Sequence, residues 1–213
     1  MSRPLLHDYF RSSAAYRVRI ALRLKGIEFD SVSVDLRANA QRDPAYLDRN
    51  PQGFVPMLEL DGRRLTQSIA IIDYLDHVAC EPRLVPEDRL DRAHVIEMAL
   101  LIACDIHPLN NLRVLRYLQN ELGQEEAVRD RWYAHWIEEG LGALEAMAPP
   151  RASRFLFGDS PTIADICLVP QLYNARRFNV PLDAYPILLR AETHANALEA
   201  FAAAHPDRVA PQD

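Results

Sequence analysis

The hydrophobic pattern changes character near residue 85, and this break constrains the fold more than any other feature of the 213-residue chain. Before it, short strand and helix signals alternate. Leu5 to Phe10 reads as a strand. After Arg11-Ser12-Ser13, the stretch Ala14 to Lys25 places Val18, Ala21, Leu22 and Lys25 at helical spacing, with Gly26 as a C-terminal stop. Phe29 to Val34 alternates apolar and polar residues, as a strand does. A short polar helix or loop runs through Pro44 to Arg49, and Pro51-Gln52-Gly53 turns the chain into Val55 to Leu60. Asp61-Gly62 is a two-residue hairpin signal that returns the chain through Arg64-Leu65-Thr66. Ser68 then reads as the N-cap of a helix with Ile69, Ile72 and Leu75 on one face. The order is β-α-β-α-β-β-α, that of a thioredoxin-like domain.

Residues 79–89 carry Pro82, Pro86 and mixed charges without periodicity, and read as a linker. Beyond it the signals are helical: Arg89 to Ile106, Pro108 to Leu122 and Glu125 to Met147, interrupted at Pro108 and Gly123. Thr162 with Asp165 three residues on is a capping-box variant, and a last helix is expected over Ile187 to His205. The pattern therefore predicts an α/β domain over 1–82, a linker over 83–90 and an all-helical domain over 91–213.

The formal charge of −6 argues against nucleic acid, which wants a basic face. No apolar run approaches the ~18 residues of a membrane span. The start, Met1-Ser-Arg-Pro, leads into a strand without a signal-peptide core. Cys80, Cys104 and Cys167 are irregularly spaced and form no CxxC pair. They are expected to be buried and reduced, which places the chain in the reducing cytosol. His94, His135 and His194 sit in helical patterns without companion ligands, so no metal site is expected.

Three short motifs bear chemistry. Ser12 and Ser13 lie where a strand meets a helix N-terminus, a place that favours an anion; either could equally be a plain cap. Val55-Pro56 is either a cis peptide that frees the Val55 main chain or an ordinary edge proline. Gln67-Ser68 opens the next helix and could hold a carboxylate or merely cap it.

Taken together they are specific. Ser-Ser before Arg-Val-Arg-Ile-Ala-Leu, then Asn50 to Pro56, then Gln67 to Leu75, resembles the glutathione transferase family. Cys104 to Leu112 and Leu168 to Gln171, followed by Ala175 to Phe178, narrow the resemblance to the zeta class, which holds maleylacetoacetate and maleylpyruvate isomerases. The resemblance implies a homodimeric, glutathione-dependent cis–trans isomerase converting maleylacetoacetate to fumarylacetoacetate in tyrosine and phenylalanine breakdown, with maleylpyruvate of gentisate breakdown as the alternative substrate. Dehalogenation of small haloacids and a non-catalytic interaction module are the other activities this scaffold suggests. Ala14 stands where the zeta signature usually has cysteine, so an enzyme thiol is excluded at that place.

The resemblance also implies roles. Ser12 and Ser13 would flank the glutathione sulfur, Val55 would bond the cysteinyl main chain, and Gln67 with Ser68 would hold the γ-glutamyl end. Gln41, Asn110 and Asn111 fall at further cofactor-contact positions. Arg11 and Arg177 are the candidates for substrate carboxylate or enolate, because a guanidinium is a planar, permanent cation. Arg176 is the alternative to Arg177, since adjacent helical residues point apart. His107, at the helix break before Pro108, would bond substrate, move a proton, or hold the turn.

Overall fold

The computed structural model describes residues 2–79 and 81–211. The chain divides into Met1–Leu84 with Asn196–Asp213, and Val85–Ala195.

The first unit is built on a four-stranded sheet of order β2-β1-β3-β4. Strand β1 (Leu5–Asp8) pairs parallel with β2 (Asp30–Ser33). A parallel pair needs a long crossover, and helix α1 (Ser13–Leu24) supplies it. After a 3₁₀ turn at Ala40–Arg42 and the single-turn helix α2 (Pro44–Leu47), β3 (Met57–Leu60) pairs antiparallel with β1. The hairpin to β4 (Arg63–Thr66) has Asp61 at φ 49° and Gly62 at φ 74°, the two positive angles of a type I′ turn. Helix α3 (Ser68–Val78) packs on α1, where Ile71, Ile72 and Leu75 lie in the core with Tyr16, Ile20 and Leu22.

Helix α1 also buries charge. Arg19 Nη1 donates to both oxygens of Asp8 at 2.8 and 2.7 Å, its Nε to the Ala204 carbonyl and its Nη2 to the Phe10 carbonyl, each at 3.0 Å. Lys25 Nζ donates to Asp76 and to the carbonyls of Ala79 and Pro82, all at 2.6 Å. Asp76 in turn accepts from the Leu84 main chain at 2.8 Å.

The second unit is helical. Helix α4 (Arg89–Leu100) runs into a π-helical stretch, Leu101–Ile106, where the periodicity had predicted one regular helix. The widened turn places Ile106 against Gly140, and a Cβ at Gly140 would lie 2.2 Å from Ile106 Cγ1. Helix α5 (Leu112–Asn120) starts later than expected because Asn111 caps it, its Oδ1 accepting from Arg113 N at 3.1 Å. Then come α6 (Glu126–Met147) and α7 (Ile163–Arg177), the most deeply buried helix. The expected capping box is present at its start. Asp165, wholly buried, accepts from the main chains of Leu156 and Thr162 at 2.8 Å and from the Thr162 hydroxyl at 3.0 Å, and burial pushes its pKa up to about 6.

The predicted last helix, Ile187 to His205, is broken. Helix α8 (Pro186–Asn196) stops, Leu198 is extended, and the short helices α9 (Glu199–Ala202) and α10 (Pro206–Val209) follow. The tail packs on α1, so the helical unit ends at Ala195 and residues 196–213 complete the first unit instead. Cys167 is buried, but Cys104 is exposed, against expectation, because it lies on the outer side of the π-helical stretch; Cys80 lies outside the described residues. Among the described residues no helix is long and apolar enough to cross a membrane.

Two outcomes follow for stability. Asp165→Ala removes the α7 box and leaves buried main-chain donors unmet, so unfolding free energy in urea should drop by about 2 kcal/mol or more. His7 is buried between Glu59 and Arg49, and desolvation, then Arg49 and Arg64, lower its pKa from 6.5 to about 4. Between those values the unfolded chain binds a proton that the folded chain refuses, so stability falls as pH drops from about 6.5 to 4. Urea titrations across that window should show His7→Asn losing this part of the slope.

Candidate functional site

The first unit presents two helix N-termini and one main-chain edge. At the first, the chain leaves β1 through a tight turn in which Ser12 N donates to the Tyr9 carbonyl at 2.8 Å. Ser12 is the N-cap of α1: its Oγ accepts from Ala15 N at 3.2 Å. Capping uses the hydroxyl as an acceptor only. No described residue takes its proton, and the half-buried Oγ is free to donate to an anion at the positive end of α1. Ser13 is the first residue of the helix and is buried. Arg11 is exposed, with its guanidinium 5.0 Å over the Phe10 ring and no carboxylate partner among the described residues.

The main-chain edge lies beside this turn, since Tyr9 and Phe10 share a hydrophobic cluster with Val55, Tyr46 and Met57. The Val55–Pro56 peptide is cis, the less ordinary of the two alternatives. Tyr46 Oη and Asn50 Nδ2 both donate to the Phe54 carbonyl, at 2.6 and 2.8 Å, and fix the segment. Gly53, at φ 61°, approaches so closely that a Cβ would lie 2.9 Å from the Gln41 carbonyl oxygen. Gln41 is itself buried, and its side-chain oxygen has no hydrogen-bond partner.

The second N-terminus is that of α3. Its N-cap is Gln67 and not Ser68, which is displaced by one position to the first helical residue. Gln67 sits at φ 69°, a strained angle for a side-chain-bearing residue, and its Nε2 donates to Gln52 Oε1 at 3.0 Å. Ser68 is buried, and its Oγ accepts from Arg17 Nη1 at 3.3 Å. Arg17 and Arg19 belong to a motif legible in the sequence, but their burial was not foreseen. The available signal was a pair of arginines at i and i+2 amid apolar residues, which leaves no polar face for both.

The helical unit is more selective. Asn111 is occupied, with its Oδ1 in the α5 cap and its Nδ2 3.2 Å from His107 Nε2. Asn110 is buried with its Nδ2 unpaired. Arg176 is committed to a two-pronged pair with Glu192 at 2.5 Å on each arm, so it is withdrawn as a substrate ligand. Arg177 is exposed, lies over the rings of Tyr173 and Phe178 at 5.8 and 5.9 Å, and meets no carboxylate among the described residues.

Comparison with known proteins bears on this arrangement. Models of the glutathione S-transferase N-terminal and C-terminal domains match residues 11–78 and 126–205. The chain is 49% identical to the maleylacetoacetate isomerase of Rhizobium meliloti (strain 1021) over 208 residues, covering 97% of this chain and 98% of the relative. It superimposes on a holo maleyl pyruvate isomerase, a bacterial zeta-class enzyme, with TM-score 0.95 at 38% identity, covering 98% and 100% of the two chains. A maleylacetoacetate isomerase from Methylobacterium extorquens AM1, solved with malonate and glutathione bound, matches with TM-score 0.91 at 39% identity, covering 98% and 100%.

Proposed function

This chain belongs to the glutathione S-transferase family, and from that premise we propose that it is a glutathione-dependent cis–trans isomerase acting on maleylacetoacetate. The observation that carries the reading is the Ser12 hydroxyl, which caps α1 yet keeps its proton for an anion.

The residues present suit glutathione. The Val55 main chain makes no hydrogen bond to the described residues and matches a peptide's need for a β-like partner. Gln67 and Ser68 open α3 toward a carboxylate, and the unpaired Gln41 oxygen is an acceptor for a peptide N–H. Ser12, Val55, Gln67 and Ser68 would hold glutathione, which when bound would supply a thiolate nucleophile for the cis double bond and leave again once the trans isomer has formed.

Ser12 favours that thiolate. A thiol of pKa about 8.5 is only a few per cent ionised at neutral pH, and lowering it by about two units takes roughly 2.7 kcal/mol. The α1 dipole contributes about 0.3–1 kcal/mol, and a hydroxyl donating to a charged acceptor about 1.5–3 kcal/mol. The two together reach the requirement; the dipole alone does not. Ser13, being buried, is the second candidate.

Arg11 and Arg177 remain the candidates for the substrate's carboxylate and the enolate charge that develops as the double bond opens. Each is a guanidinium that meets no carboxylate among the described residues. His107, held by Asn111, is the candidate for moving a proton. The homodimer and the cytosolic location implied by the family resemblance belong to this proposal too.

Maleylpyruvate is the second reading, favoured by the 0.95 superposition on an isomerase of that substrate. Purified protein should convert maleylacetoacetate only when glutathione is present, and Ser12→Ala combined with Ser13→Ala should cut kcat/KM by at least about tenfold. A higher kcat/KM for maleylpyruvate would exchange the two readings. Absence of glutathione-dependent turnover with either acid would refute both.

A further inference from the structure

The first unit buries three cations, Arg17 and Arg19 on α1 and Lys25 at its C-cap, and neutralises two. Arg19 has Asp8, and Lys25 has Asp76. Arg17, 1% exposed, has neither. Its single hydrogen bond runs from Nη1 to Ser68 Oγ at 3.3 Å, while Nε and Nη2 meet no acceptor and no carboxylate pairs with it among the described residues. A guanidinium cannot shed its charge by deprotonation, so an unmatched buried one is costly to fold around.

The surroundings add to the imbalance. Ser68 is the first residue of α3, an 11-residue helix whose N-terminus is its positive pole. Gln67 is held there at φ 69°, against its own steric preference. Cation, helix pole and strained turn converge on one place where no described residue supplies an anion to Arg17. An ordinary structural arginine would be expected to carry its counter-charge, as Arg19 does.

We propose that Arg17 is a positioning residue for the γ-glutamyl α-carboxylate of glutathione, acting through Ser68. By donating to Ser68 Oγ, Arg17 occupies the hydroxyl as an acceptor and leaves its proton to point at the ligand. The carboxylate is the counter-ion that the buried guanidinium lacks. Recognition of glutathione over thiols without that carboxylate therefore originates one layer behind the contact surface. This inference rests on Gln67 and Ser68 holding the γ-glutamyl end.

The test compares glutathione with 4-aminobutyryl-cysteinylglycine, which lacks only the α-carboxylate, by calorimetric Kd on the full chain. The wild type should prefer glutathione by at least tenfold. Arg17→Met and Arg17→Gln should weaken glutathione by about that factor, leave the analogue's Kd within about twofold, and bring the ratio close to one. Arg17→Lys keeps the charge and should keep most of the preference. The ligand-free Tm of Arg17→Met should equal or exceed that of the wild type, because the unmatched charge is gone.

Equal weakening of both ligands, an undiminished preference in the neutral variants, or a lysine variant as indifferent as the methionine one would overturn the proposal. A folded wild type that binds neither ligand would instead remove the glutathione reading beneath it. A wild type that binds both equally would refute the role of the carboxylate while leaving that reading in place.

Discussion

The buried pair of Asp8 and Arg19 is the interaction on which the first unit depends. It joins the last residue of β1 to the middle of α1, and the two remaining arms of the guanidinium reach the carbonyls of Phe10 and Ala204. Ion pairs of this kind recover their desolvation cost only when the remaining donors are also satisfied, and here all the polar arms of Arg19 are. The turn between β1 and α1 is thereby held at both ends. The clamp holds the turn that carries Ser12 to the helix pole, so a half-buried hydroxyl is placed by a pair of buried charges.

Under the proposed function the same unit carries two anion sites of different character. At α1 the anion would meet a half-buried hydroxyl and a helix pole, a modest field suited to tilting a thiol equilibrium. At α3 the hydroxyl is backed by an unneutralised guanidinium, a stronger field suited to a permanent carboxylate. The main chain at Val55 lies between a segment pinned by Tyr46 and Asn50 and the sheet itself. Rigid supports of this sort reduce the ordering cost of binding a flexible tripeptide.

Much of the fold was legible in the sequence because its signals are local. Asp61-Gly62 specifies a hairpin through its backbone angles, and Thr162 with Asp165 specifies a helix start through its side chains. What escaped was set by tertiary packing. The π-helical turn at Leu101–Ile106 exists where Ile106 meets Gly140, a fit between residues far apart in sequence. Ser68 lost the cap to Gln67 because the strained turn there is imposed from outside the helix. For the site, the pattern placed Ser12, Gln67 and Ser68 at helix starts and Val55 before a strand, which is where they lie. It had no means of seeing that Arg17 is buried without a carboxylate among the described residues, nor that Arg176 is spent on Glu192. Periodicity reports which face is apolar, and a buried cation violates that rule by design.

The tail that follows α8 belongs to the first unit, and its Ala204 carbonyl completes the coordination of Arg19. That acceptor lies 185 residues along the chain from the guanidinium it serves, with the whole helical unit between them in sequence. The sheet unit is therefore complete only once the chain past the helical unit has been made, and until then one arm of Arg19 stays unmet. A truncation just after the helical unit would therefore harm the other one.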